Sequence, residues 1–203
     1  MAYGANIMSL IKTNQRSANT LIGTNKDSRF DTIIAATGGT ITTDGDFKVH
    51  TFTSSGNFVI SSVLGIGEVQ ILVVSGGGGG GFKFGGGGGA GGMLEGTHIL
   101  STGTFYANIG GGGSGRTAGN QTASGGVGGQ SYVNPTGGAT IDGAAMAINT
   151  YGGGCSGPGG SGNYQTYYWN NHDGGSGAGA PGIHSSGNTV NPSYSPGSGS
   201  AAQ

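Results

Sequence analysis

The sequence predicts a mainly-β protein: a small antiparallel β-sandwich or jelly-roll-like scaffold with glycine-rich loops that can pack as polyglycine-II helices, preceded by a short N-terminal helix or arm. Three observations predict it. Residues 40–74 alternate apolar and polar positions between turn signals, the period of a half-buried strand. Glycine supplies 51 of 203 residues, and only eight of those glycines precede residue 76. Each main glycine cluster begins where a β-like segment ends.

Residues 1–31 form the first unit by composition. Ile7, Leu10 and Ile11 recur at i, i+3 and i+4, which suits one face of a short helix. A helix of about ten residues is marginal alone in water, so it is expected to dock on a partner. Ile7, Leu10 and Ile11, with the cations Lys12 and Arg16, are the docking candidates. Residues 13–31 are polar and read as an extended arm. The plainer alternative is a frayed terminus.

Residues 32–155 form the second unit. Thr40-Ile41-Thr42-Thr43 leads into Asp44-Gly45, a tight-turn signal. Phe47 to Phe52 alternates, with Phe47, Val49 and Thr51 on one face. Ser54-Ser55-Gly56-Asn57 is a second turn, and Phe58-Val59-Ile60 a further strand. Val69 to Val74 is apolar on nearly every position, which predicts a central, buried strand. Thr104 to Ile109 and Ala145 to Tyr151 alternate and end in glycine. The spacing is too irregular for a solenoid. It predicts strands that all leave one end of a sheet into clustered glycine loops.

Glycine buries no side chain and loses the most backbone entropy on folding. A third of the residues after Ser75 therefore cannot be held by an ordinary apolar core; backbone must pack on backbone, or the segment is disordered. Only 7% of the chain is charged, against roughly 25% in globular proteins. Disordered chains are usually charged and poor in β-branched residues, so an ordered glycine packing is expected. No Lys or Arg follows Arg116, and a phosphate backbone needs several cations, so no nucleic-acid binding is expected. No run approaches the ~18 apolar residues of a membrane span. Cys155 is the only cysteine, which excludes an intrachain disulfide.

No catalytic constellation is present, and an enzyme is not expected. Lys83 lies between Phe82 and Phe84 without the Ser or Thr of a phosphate-binding loop. There is no G-x-S-x-G elbow. His50, His98, His172 and His184 lack metal-ligand spacing, and neither a metal nor a cofactor is expected. Asp44 and Asp46 sit on a turn, where they shape backbone.

Residues 156–203 form the third unit, a set of distal loops and a tail. Tyr164, Tyr167, Tyr168 and Trp169 precede Asn170 and Asn171. Aromatic rings beside small amides offer flat stacking faces and neutral hydrogen bonds with few rotors to freeze. They are receptor- or glycan-binding candidates. The alternative is a mini-core beneath the glycine loops or an interface with a neighbouring chain.

The order Ala36-Thr37-Gly38-Gly39-Thr40, Gly45-Asp46-Phe47-Lys48-Val49-His50-Thr51-Phe52-Thr53-Ser54-Ser55-Gly56, Glu68 to Val74 before oligoglycine, Gly85 to Gly92, then Tyr106-Ala107-Asn108-Ile109-Gly110-Gly111 resembles the glycine-rich domain of bacteriophage virion proteins of tail-fibre or adhesin type. The match runs over roughly residues 35–155. The resemblance implies a virion structural protein without catalytic residues, assembled in the host cytoplasm and displayed on the particle exterior. It implies a homo-oligomer, a trimer before other states, joined to other virion proteins through the N-terminal arm. A host surface glycan or outer-membrane protein is the implied receptor. Related adhesins are similar to stacks of polyglycine-II helices with variable loops. This chain departs from them in its irregular glycine clusters and its β-rich first half. A capsid decoration, head fibre or tail appendage without receptor binding is the alternative.

Overall fold

A computed structural model of the chain describes residues 9–14, 33–81, 85–116 and 125–156. Among the described residues ten strands build two five-stranded antiparallel sheets. The first sheet holds β3 (Thr40–Asp44), β4 (Phe47–Phe52), β1 (Ser9–Asn14), β6 (Glu68–Val74) and β7 (Met93–Ile99) in that spatial order. The second holds β10 (Ile148–Thr150), β9 (Ser131–Thr136), β8 (Gly103–Asn108), β5 (Gly56–Leu64) and β2 (Ile33–Thr37). The antiparallel β-sandwich expected from the alternating segments is present, and neither sheet closes into a barrel.

The core lies between the sheets. Phe52, Val69, Ile71 and Val73 from the first sheet meet Ile34, Phe58, Ile60, Phe105, Ala107 and Val133 from the second. Alternation sets these positions: in β6, Val69, Ile71 and Val73 are buried while Glu68 and Gln70 are exposed. β6 is interior to its sheet, as its apolar run predicts, but one face carries the burial. Phe58 packs edge-on against Phe52 and His50, at ring separations of 6.4 and 5.0 Å. In β4 the inward residues are His50 and Phe52, while Phe47 lies on the outer face and is exposed. An extra residue, Ser61, bulges β5 opposite Ala35 and Ala36, which bends that edge.

The N-terminal region differs from expectation. Leu10, Ile11 and Lys12, expected in a helix, lie in strand β1, which fills the gap between β4 and β6. Ile11 pairs with His50 on one side and Ile71 on the other, and its side chain is fully buried. The i, i+3, i+4 spacing is an ambiguous signal over so few residues. β4 pairs with all six residues of β1 and β6 with the middle four, whereas a helix this short leaves most of its terminal groups unpaired. Ile7 and Arg16 lie outside the described residues.

Three strands carry weak or misleading sequence signals. β7 reads Met-Leu-Glu-Gly-Thr-His-Ile, with little apolar alternation, and forms through the seven-residue register it shares with β6. β9 contains Pro135, a residue usually confined to edges; β9 lies between β8 and β10, but β10 pairs only with residues 131–133, so Pro135 is paired on the β8 side alone. Of the segment Ala145 to Tyr151 only Ile148–Thr150 forms a strand, and Met146 is exposed.

The sandwich has two distinct ends. At the lower end, Asp142 takes a left-handed φ of 52° in the Ile141–Ala144 turn. Its carboxylate accepts from the Ile99 N–H and pairs with the His98 ring, both at 2.7 Å. These contacts hold its carboxyl below the ordinary value, the His98 hydrogen bond most strongly. Leu64, Ile66 and Ile99 are exposed at this same end. At the upper end, β6, β8 and β10 all run into glycine, as the sequence predicts.

Candidate functional site

The upper end is sealed by hydroxyls. Ser75 follows the last residue of β6 and is fully buried. Its Oγ donates to the Thr150 carbonyl at 2.7 Å and lies 2.6 Å from the Thr150 hydroxyl. The same Oγ accepts from the Ser131 N–H at 2.8 Å. Ser131 Oγ in turn accepts from the Gly110 N–H at 2.9 Å. Three strand ends are tied at one buried point, where the backbone changes from a two-residue to a three-residue repeat. Sequence reasoning misses these residues; the available signal is a small hydroxyl residue where an apolar strand meets glycine.

Above this collar five glycine-rich segments pack together: 75–81, 85–92, 110–116, 125–130 and 151–156. Their backbone bonds step by three. Ser75, Gly78 and Gly81 donate to Gly92, Gly89 and Gly86. Gly76 and Gly79 donate to Gly129 and Gly126. Gly77 and Gly80 accept from Gly113 and Arg116, and Gly76 and Gly79 accept from Gly153 and Ser156. β-Strands repeat every two residues; a three-residue period belongs to the extended left-handed helix of polyproline-II type. The glycine runs are therefore polyglycine-II-type helices, hydrogen-bonded to each other.

Segment 75–81 is the hub, bonded to all four others. The others also bond in sequence around it: 85–92 to 151–156, 151–156 to 125–130, and 125–130 to 110–116. Only glycine fits the packed positions. A Cβ on Gly78 would run into the carbonyl of Gly154, and one on Gly79 into that of Ser114. A hydrogen bond is worth ~1 kcal/mol net, while fixing a residue's backbone costs ~1–2 kcal/mol. The bundle therefore depends on strands that deliver its segments already aligned.

Chain direction gives the bundle a far end. Segments 75–81, 110–116 and 151–156 run away from the sandwich, and 85–92 and 125–130 return. Gly81, Arg116 and Ser156 end at one level, since Arg116 bonds Gly80 and Gly125 bonds Ser156. Segments 85–92 and 125–130 begin at that level. Seven residues at ~3.1 Å each place this end ~20 Å above the collar.

The expected receptor residues Tyr164, Tyr167, Tyr168, Trp169, Asn170 and Asn171 lie outside the described residues. Cys155 is buried in the bundle, and burial pushes its thiol above the ordinary value. Among the described residues no group of three or more His, Cys, Asp or Glu side chains could hold a metal. His50 Nδ1 lies 2.8 Å from the Gly38 carbonyl oxygen, and its buried Nε2 has no partner among the described residues. Burial pulls its pKa below the ordinary 6.5, only partly offset by the Gly38 bond.

Sandwich and bundle together define a glycine-rich domain mounted on a β-scaffold, with its three outward segments ending at one pole. A glycine-rich domain family matches residues 53–203, most of the chain, and the protein belongs to that family. No curated protein and no solved structure shows a match.

Proposed function

We propose that the chain is a bacteriophage virion structural protein, a fibre or adhesin subunit that presents the far end of its glycine bundle to the host surface. One observation carries this reading: the three outward segments all end at the same pole, ~20 Å from the scaffold. A backbone bundle without side chains is a rigid spacer that leaves its end loops free to vary in sequence. The sequence after Ser156 brings Tyr164, Tyr167, Tyr168 and Trp169, whose rings suit a neutral glycan or a protein receptor. The exposed Leu64, Ile66 and Ile99 at the opposite pole suit attachment to another virion protein, since clustered exposed apolar residues mark interaction sites.

Tyr168→Ala with Trp169→Ala should lower adsorption to host cells while particles still carry the protein. Unchanged adsorption would remove the receptor role. The second reading, an architectural decoration without receptor binding, shares the apolar lower pole. Its mark is position: copies spread over the capsid lattice rather than gathered at a tail tip in electron micrographs of labelled particles.

A further inference from the structure

Several glycines in the bundle are not needed by the bundle. At Gly87 and Gly115 a side-chain carbon would meet nothing within 4 Å, and at Gly77, Gly80 and Gly112 it would find its nearest atom 3.5–3.7 Å away, ordinary contact. None of the five has a left-handed φ. Any residue could occupy them, and Ala90 does so in an exposed position three residues after Gly87. Glycine there still carries its entropic cost of roughly 0.5–1 kcal/mol relative to alanine.

Gly111 is open too, on the row it shares with Ser114; the other five share one face. The neighbours of segment 75–81 take its groups alternately: 85–92 accepts, 151–156 donates, 125–130 accepts, 110–116 donates. In this cyclic order 85–92 and 110–116 flank the hub on opposite sides, so the three form one layer. The outer rows of that layer are Gly87 and Ala90, Gly77 and Gly80, and Gly112 and Gly115. Among the described residues the N–H groups of Gly77 and Gly80 and the carbonyl of Gly78 have no partner.

We propose that this smooth outer face packs on the same face of a second copy of this chain. The face carries two donors and an acceptor on one helix, so a two-fold axis can pair one of the Gly77 and Gly80 N–H groups of each copy with the Gly78 carbonyl of the other; self-complementarity is the requirement of an isologous contact. Glycine in every row but one keeps the two backbones within hydrogen-bonding reach, as it does inside the bundle. The inference rests on bundle geometry alone and stands apart from the receptor reading. The face is about 20 Å long and three chains wide, well below the ~800 Å² per partner of a standard interface. Association is therefore weak in solution and strengthened where copies are held side by side.

Sedimentation equilibrium on the full chain, at concentrations up to about 1 mM, tests it. The wild type should dimerise, and Gly80→Gln with Gly112→Gln should raise the dissociation constant at least tenfold without lowering the melting temperature. Gly87→Asp, on the adjoining row, should do the same. A wild type that stays monomeric overturns the proposal, as does dimerisation that both variants leave unchanged. Variants that lower the melting temperature without altering association would show that residues of the same chain cover the face, and that also overturns it.

Discussion

Gly79 donates its amide hydrogen to the carbonyl oxygen of Gly126 at 2.8 Å. Three residues earlier, Gly76 donates to Gly129, three residues away in the opposite direction. That three-residue step, repeated between every bonded pair of segments, separates this bundle from a β-sheet and explains why the chain needs so much glycine.

Steric demand should divide the glycines into two classes. Gly78→Ala and Gly79→Ala force a methyl into a backbone carbonyl and should destabilise the protein by ~2 kcal/mol or more, in the range of severe packing defects. Gly87→Ala should be neutral or stabilising by ~0.4–1 kcal/mol, because it only narrows the unfolded ensemble. Urea denaturation of the three variants checks this. Equal effects would mean that the segments are not packed.

The hydroxyl collar should matter out of proportion to its size. Ser75→Ala strands the buried Ser131 N–H and two Thr150 groups, at a cost of ~1–3 kcal/mol for each group left unpaired. Ser75→Cys, a near match in volume with a weaker bonding group, should fall between. Thermal melts rank the three proteins, and a silent Ser75→Ala would refute the collar's role.

Acid should weaken the fold in a window set by His50. Its folded pKa lies below the ordinary 6.5 because burial disfavours the charged ring. The unfolded state therefore binds the proton more readily. The stability conferred by the neutral ring is complete above about pH 6.5 and is lost as pH falls from there towards the folded pKa. Asp142, whose pKa is also lowered, adds a further loss only at the lower pH where carboxylates protonate. Melting temperature should drop between pH 7.5 and 5, and His50→Leu should flatten that drop. An unchanged slope in the variant would move the cause elsewhere.

The lower pole should affect assembly and not folding. Leu64→Ser and Ile66→Ser alter exposed side chains and should change stability by less than ~0.5 kcal/mol. If this pole faces the particle, both should reduce incorporation into virions, measured by the amount of protein in purified particles. Normal incorporation would place the attachment elsewhere.

Much of this architecture is legible in the sequence. Asp44-Gly45 marks its turn, the alternation of Phe47 to Phe52 and of Thr104 to Asn108 marks strands, and the glycine clusters fall after strands as predicted. What cannot be read are features fixed by distant partners. Ser9–Asn14 is a strand because β4 and β6 leave an opening for it; its own residues also fit a helix. β7 has no apolar pattern of its own and follows β6. The hub role of Gly76 to Gly81 depends on bonds to residues as far as 77 positions away, Gly76 to Gly153 and Gly79 to Ser156, and one glycine looks like another until its neighbours are known. The same holds for Ser75, whose importance lies in reaching Thr150 and Ser131.

Amide hydrogen exchange resolved by residue, on dilute wild-type protein, tests the central claim most directly. The hub should show two protected amides followed by one fast amide: Ser75 and Gly76 slow, Gly77 fast, Gly78 and Gly79 slow, Gly80 fast, Gly81 slow. Uniformly fast exchange from Ser75 to Gly81, or protection of every second residue, would contradict the polyglycine-II bundle.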